Sequence, residues 1–251
     1  MRDVVKRSKS LSNSMYPGIK GRVRRMGMKK EDAKRLLRYI RDEAPIIIHV
    51  ALENLIDFFL NDTHYRNQFE TCTSRGALSV SLRKKWEKRM FHNKYKNATP
   101  FERVKYGVLN MVNDPLGIQS CWGYGNSFFI LKKVRLRTSF ADRDSSDYFS
   151  RIACCEHYCH VLNRYNDREF ADILDVSKNI QRDRKYGKSS AGHGWKYKEI
   201  QIHGEIRFDT NIAAIRVNDI HRRNTSLLNK IKEFAAKNNI TDVTLQDGTP
   251  L

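Results

Sequence analysis

The stretch Tyr197-Lys-Glu-Ile-Gln-Ile-His-Gly-Glu-Ile-Arg-Phe208 decides how this chain is read. Side chains of an extended strand point alternately to its two faces, so a strand here sets Glu199, Gln201, His203 and Glu205 on one side and Ile200, Ile202, Gly204 and Ile206 on the other. One face is apolar and fits a core. The other carries two carboxylates, an amide and an imidazole, which makes it either the solvated face of an edge strand or the floor of a polar site.

A second segment, His64-Tyr-Arg-Asn-Gln-Phe-Glu-Thr71, shows the same period of two and, if extended, aligns Arg66, Gln68 and Glu70. Cys72-Thr73-Ser74-Arg75-Gly76 follows at once. A guanidinium matches the fork geometry of a phosphate, small hydroxyls and glycine permit close approach, and a strand of carboxylates with a glutamine can hold a ribose. Together the two segments read as a dinucleotide pocket.

Composition limits the alternatives. The chain has 251 residues, with 47 Lys and Arg against 28 Asp and Glu, a formal charge of +19, and 40% hydrophobic and 10% aromatic content. A chain of this size buries roughly 70–75% of its unfolded surface, which excludes wholesale disorder. No run approaches the ~20 apolar residues of a membrane helix. The longest candidate, residues 44–60, is interrupted by His49, Glu53, Asn54 and Asp57, so a soluble protein is expected. The basic start lacks the apolar stretch of a secretory signal, and five cysteines cannot pair completely, which favours a reducing compartment over a disulfide framework.

The charge is uneven, with thirteen Lys/Arg and three Asp/Glu in residues 1–40. Residues 1–28 read as a basic arm for an acidic partner or nucleic acid, dispensable for the chemistry of the rest. Residues 29–62 read as a helical N-terminal subdomain, one helix beginning at Lys30 and a second spanning Ile46 to Leu60. Residues 63–251 form the remaining unit. Within it, Trp86, Met90, Phe91 and Tyr95 recur at helical spacing, and Phe101 to Asn110 reads as a helix start or turn. Ser127 to Leu136 reads as a strand, Tyr148 to Leu174 as helical, and Ser177 to Gly194 as a long loop. Strands are expected over Tyr197–Phe208 and Ala213–Val217, and an amphipathic helix over Asn224–Asn238.

Two other constellations carry chemistry-bearing side chains. Cys154, Cys155 and Cys159 lie near His157 and His160, but no second Cys/His pair sits at a zinc spacing, so structural thiols and no metal are expected. His64, His193, His203 and His221 could supply the acid and base of a metal-independent ribonuclease, which suits the +19 charge. That, or a nucleic-acid-binding protein using the basic surface, is the alternative function.

His64-Tyr-Arg-Asn-Gln-Phe-Glu-Thr-Cys-Thr-Ser-Arg-Gly76, Glu102-Arg-Val-Lys-Tyr-Gly-Val-Leu-Asn110, Arg137-Thr-Ser-Phe140 and Glu199-Ile-Gln-Ile-His-Gly204, taken in order, resemble the successive motifs of a little-characterised family of bacteria and some eukaryotes. That family is associated with the ADP-ribosyltransferase superfamily, which includes secreted bacterial effectors. The resemblance implies an α+β fold, a helical N-terminal part followed by a split antiparallel β-sandwich with NAD in the cleft between its halves. It implies NAD as co-substrate without a metal, and mono-ADP-ribosyl transfer to a side chain, arginine among the candidates, of a host or competitor protein. It also implies a location in the cytoplasm, or in a host cell reached without a classical signal peptide. Arg66 matches the NAD-holding arginine of the superfamily. Thr73-Ser74 or Thr138-Ser139 matches the hydroxyl pair that braces the ribose. Glu199-x-Gln201 and His203-x-Glu205 stand where the superfamily has its Glu/Gln-x-Glu pair, with Glu199 first and Glu205 second for the carboxylate and Gln201 or His203 orienting the acceptor. Gln68 and Glu70 would line the pocket, and Tyr106 and Asn110 would stack on and hydrogen-bond the nicotinamide.

Overall fold

The computed structural model describes residues 1–73, 79–191, 194–195 and 197–251. Strand β1 (Ile46–Val50) runs through the middle of the protein, with every position buried. It covers the first part of the segment expected as a second helix. Four β-branched residues among the five after Pro45 favour a pleated strand, and only Leu52–Leu60, which keeps the helical spacing, is helical, as α3.

The described strands make one mixed sheet of eight, in the order β5-β4-β6-β2-β1-β3-β7-β8. The members are β2 (Lys105–Leu109), β3 (Ser127–Leu131), β4 (Thr138–Ala141), β5 (Ile152–Cys154), β6 (Glu199–Ile202), β7 (Ile212–Val217) and β8 (Asp242–Leu245). All neighbours are antiparallel except β7 and β8. The fold is thus α+β as expected, but the described strands form a continuous sheet rather than the split sandwich. β6 is an interior strand between β2 and β4, so its polar face is enclosed and not the solvated side of an edge.

Helix α1 (Arg2–Arg25) occupies the segment expected as a basic arm. Its apolar residues are sparse, yet Val4, Ile19 and Val23 are buried, and the helix packs on β5 and on the short α6 (Cys159–Leu162). Arg22 caps that contact: its guanidinium pairs with Asp167 at 2.6 Å and lies over the Phe170 ring at 4.6 Å, both residues of α7 (Asp167–Asn179). Helix α2 (Lys30–Arg38) packs on α7, and α3 on the C-terminal helix α8 (Thr225–Lys237), which Asn224 caps where the spacing predicts a helix start. Phe59, Phe208 and Phe234 meet edge to face or tilted in that layer. Among the described residues no helix is long and apolar enough to cross a membrane.

Residues 64–71 are not extended. His64 makes one bridge to Arg207, and α4 (Gln68–Thr71) follows. Asn67 caps it, its Oδ1 accepting the Phe69 and Glu70 N–H groups while Glu70 Oε2 accepts the Asn67 N–H. The Asn-x-x-Glu capping box therefore overrides the alternating pattern. Helix α5 (Val80–Phe91) closes the opposite side, seated by Met90 and Phe91 on a small cluster with Val4, Val104 and Cys154.

Candidate active site

A cleft of about 970 Å³ opens over the β1, β2 and β6 region of the sheet. Its floor includes His49, Tyr106, Val108 and Glu199, one wall comes from α3 and the turn through Arg66 and Gln68, and the other from Arg83 and Trp86 of α5 and residues 144–146. Arg66 and Glu199, the two groups that the sequence singled out first, line the same cavity.

Glu199 is 8% exposed. Its Oε1 accepts a hydrogen bond from Gln201 Nε2 at 2.9 Å and its Oε2 a long one from the Ser145 N–H at 3.4 Å. Burial pushes its pKa up to about 7, assisted by the negative charge of Asp144 and opposed by those two donors. Ser145 is brought there by a loop whose Asp142 is gripped by Arg143 and Arg164, at 3.0 and 2.7 Å, while Arg89 donates to the Ser145 and Asp147 carbonyls.

The remaining residues of that strand separate. Gln201, wholly buried, and His203 continue the polar face, where Ser139 of β4 donates to Gln201 Oε1 at 2.8 Å. Regular pairing ends at Ile202, and Gly204 turns the chain with a φ of +86°, a region that favours glycine. Glu205 consequently leaves the face of Glu199: it is exposed and accepts from His64 Nε2 at 3.0 Å.

Arg66 is already bound by carboxylates. Nε and Nη2 donate to the two oxygens of Asp62 at 2.7 and 2.8 Å, and Nη1 donates to Glu70 at 3.0 Å. The guanidinium holds the Asp62 carboxyl down at about pKa 2. Gln68 and Thr73 line the cleft, Glu70 braces Arg66 and α4, and Ser74 lies outside the described residues. Tyr106 faces the cleft, with the Arg83 guanidinium 5.3 Å from its ring centre. Asn110 does not line it: its side chain staples a turn, accepting the Asp114 N–H at 2.9 Å and donating to the Asp114 carbonyl at 3.0 Å. Thr138 and Ser139, the other hydroxyl pair, are fully buried.

Several lining residues carried no assignment in the sequence. His49 sits in an isoleucine-rich run, its Nδ1–H donating to the Gly125 carbonyl at 2.8 Å and its Nε2 accepting the Ile118 N–H at 3.1 Å. Both nitrogens are used, and burial lowers its pKa to about 4, so this histidine is a neutral brace. Gly117 must stay small beneath it, because a Cβ there would meet His49 Cε1 at 2.6 Å. Arg83 and Trp86, one helical turn apart, and Tyr124 and Tyr197 give the cleft an aromatic lining. Of the first two, the sequence marks Trp86 alone, by its helical spacing with Met90, Phe91 and Tyr95.

Despite the charge of +19, the described lining holds Arg66 and Arg83 against Asp57, Asp62, Asp144 and Glu199. The basic excess lies elsewhere. Cys154, Cys155 and Cys159 are buried with thiol pKa values raised by burial, and no group of three or more His, Cys, Asp or Glu among the described residues could hold a metal. Of the histidines weighed as acid and base, His193 is outside the described residues, His64 faces Glu205, His203 is held by Tyr95 and Ser139, and His221 approaches Glu53 at 3.5 Å. They form no pair.

Residues 47–171 match the model of a family described as a protein of unknown function (DUF3626). That span contains Arg66, Tyr106 and Ser139 and stops short of Glu199. No curated protein matches the chain. Among solved structures, that of Thermus sp. 2.9 DarT in complex with ADP-ribosylated ssDNA is similar over 83% of this chain and 97% of that one, at 12% identity and a TM-score of 0.44.

Proposed function

We propose that this protein is a NAD-dependent ADP-ribosyltransferase whose reaction centres on Glu199. The observation that carries the proposal is a carboxylate buried to 8% exposure, a burial that raises its pKa to about 7, on the floor of a cleft of about 970 Å³ with Arg66 on the facing wall. The volume fits a dinucleotide, since ligand pockets run to about 1,000 Å³. The aromatic surfaces of Tyr106, Trp86 and Tyr197 suit its planar bases.

In the reaction the bond between the nicotinamide nitrogen and the ribose breaks, the electron pair leaves with nicotinamide, and the ribose carbon gains positive charge until the acceptor's lone pair closes on it. Ionised Glu199 accepts a hydrogen bond from a ribose hydroxyl and stabilises that charge in a site where water competes poorly. With a pKa near neutrality it can also take the proton that the acceptor loses. Arg66 supplies the N–H groups not already given to Asp62 and Glu70, and Gln68 and Thr73 complete that wall.

The acceptor we propose is a protein side chain, arginine in particular. The carboxylates Asp57, Asp144 and Glu199 of the described lining attract a cationic acceptor, while Arg66 is left to face the dinucleotide. Labelled NAD is incubated with an arginine-rich acceptor protein and, separately, with a single-stranded oligonucleotide. Label on the protein, lost in Glu199→Gln and reduced in Arg66→Ala but retained in Glu205→Ala, supports the proposal. Label on the oligonucleotide alone overturns the acceptor assignment. No transfer to either, with no NAD-dependent thermal shift, overturns the enzyme reading.

A further inference from the structure

Four hydrogen bonds run in series away from the Glu199 carboxylate. Gln201 Nε2 donates to Glu199 Oε1 at 2.9 Å, and Ser139 Oγ donates to Gln201 Oε1 at 2.8 Å. Ser139 Oγ also lies 3.2 Å from His203 Nε2, and the Tyr95 hydroxyl lies 2.6 Å from His203 Nδ1.

The first bond dictates the direction of the rest. An ionised carboxylate only accepts, so the Gln201 amide turns its NH₂ to Glu199 and its oxygen to Ser139. A serine hydroxyl has one hydrogen, which this oxygen takes, so toward His203 it must accept. The ring proton of His203 is therefore on Nε2, and the bare Nδ1 accepts from Tyr95. Gln201 and Ser139 are 0% exposed and His203 is 8% exposed, so each group depends on its neighbour rather than on bulk water. Phe91 packs edge-on against the His203 ring at 5.2 Å, and burial depresses the ring's pKa to about 3, which keeps it neutral.

We infer that Ser139, His203 and Tyr95 are positioning residues: they lock the Gln201 amide in the one orientation that presents its N–H to Glu199, and so fix the carboxylate in the cleft. The inference rests on the reading of Glu199 as the reacting carboxylate. It gives Ser139 and His203 tasks other than bracing a ribose or orienting an acceptor, because the hydrogen-bonding groups of both are taken up inside the chain.

Ser139→Ala tests it, since the amide then loses its lock and its N–H can swing away from Glu199. We expect kcat for NAD consumption to fall about tenfold or more while KM stays within about twofold, because binding groups are untouched and orientation is lost. We also expect the Glu199 carboxyl, followed by ¹³C NMR of labelled glutamate, to titrate at higher pH, since a donor to the charged form has gone. Ser139→Thr, which keeps the hydroxyl, should restore both readouts. An unshifted Glu199 titration with wild-type kcat in Ser139→Ala would overturn the inference. If wild type consumes no NAD but the titration still rises in Ser139→Ala, the positioning chain stands and the transferase reading falls. Should Ser139→Ala not fold, Tyr95→Phe at the outer end is read the same way: an upward shift supports the chain and an unchanged titration overturns it.

Discussion

Arg66 is forked onto Asp62 by two hydrogen bonds of 2.7 and 2.8 Å, so the guanidinium suited to a diphosphate already carries a competing carboxylate. Removing that competitor should help an anionic ligand. Asp62→Asn is expected to tighten NAD binding about fivefold, equivalent to about 1 kcal/mol for a partly exposed pair, and Arg66→Ala to weaken it. Calorimetric titration checks both, and weaker binding by Asp62→Asn would place the phosphates elsewhere. Because the Asp62 pKa is depressed to about 2, the stabilisation from this pair is present above its ordinary value of 3.8 and is lost as pH falls through about 2.

Glu199 carries the opposite sign. Its carboxyl is raised from 4.5 to about 7, so between those values the folded protein binds a proton that the unfolded chain releases, and stability falls as pH rises through the window. The size of the effect is on the order of 3 kcal/mol. Glu199→Gln should flatten this part of the stability profile, leaving the variant more stable than wild type at pH 8 relative to pH 5, while the proposed transferase activity drops by about 10²–10³. Denaturation midpoints across pH, beside NAD turnover, measure the two effects.

Glu87 and Arg103 form an ion pair at 1% and 6% side-chain exposure behind the cleft wall. Glu87 Oε1 also accepts from the Tyr106 hydroxyl at 3.4 Å, and Arg103 lies over the Phe69 ring at 4.6 Å. Arg103→Ala strands a buried carboxylate and should cost about 3–5 kcal/mol in urea unfolding, while the double change Glu87→Leu with Arg103→Met should recover most of it. A loss below about 1 kcal/mol for Arg103→Ala would mean that water reaches the pair.

Helix α1 should not be removable without loss. Deleting residues 1–28 exposes the surfaces now covered by Val4, Ile19 and Val23 and breaks the Arg22–Asp167 contact. The truncated chain is expected to unfold at markedly lower temperature. Ile19→Ala, which only hollows that contact, should cost about 2–4 kcal/mol. A truncated protein with wild-type melting behaviour would return the segment to the status of an arm.

How much of this was legible in the sequence can be seen residue by residue. The alternation over residues 199–202 and the spacing of Leu227, Ile231 and Phe234 give a strand and a helix because burial of one face is strong and local. The same period-two logic misreads residues 64–71, where a capping box closed by Asn67 and Glu70 competes successfully with the pattern, and it runs β6 on to Phe208, where the left-handed Gly204 turns it. β1 was hidden because an isoleucine run satisfies either periodicity. α1 was hidden because its stability comes from distant partners, Asp167 and Phe170, and not from its own apolar spacing.

The sequence by itself determined the α+β class, the polar face of Glu199 and Gln201 with its apolar reverse, and the interest of Arg66 and Tyr106. The strand face and Arg66 follow from side-chain alternation or residue chemistry within a few positions, while the α+β class and Tyr106 came with the family resemblance. Only the tertiary structure decided that Arg66 and Glu199 share a cleft, that Arg66 is already claimed by Asp62 and Glu70, that Glu205 faces away, and that Ser139, His203 and Tyr95 stand in line behind Gln201. Hydrogen bonds between strands β4 and β6, and from Tyr95 beyond the end of α5, join residues 62 to 108 positions apart. Local periodicity has no term for such separations; strand order and burial create them.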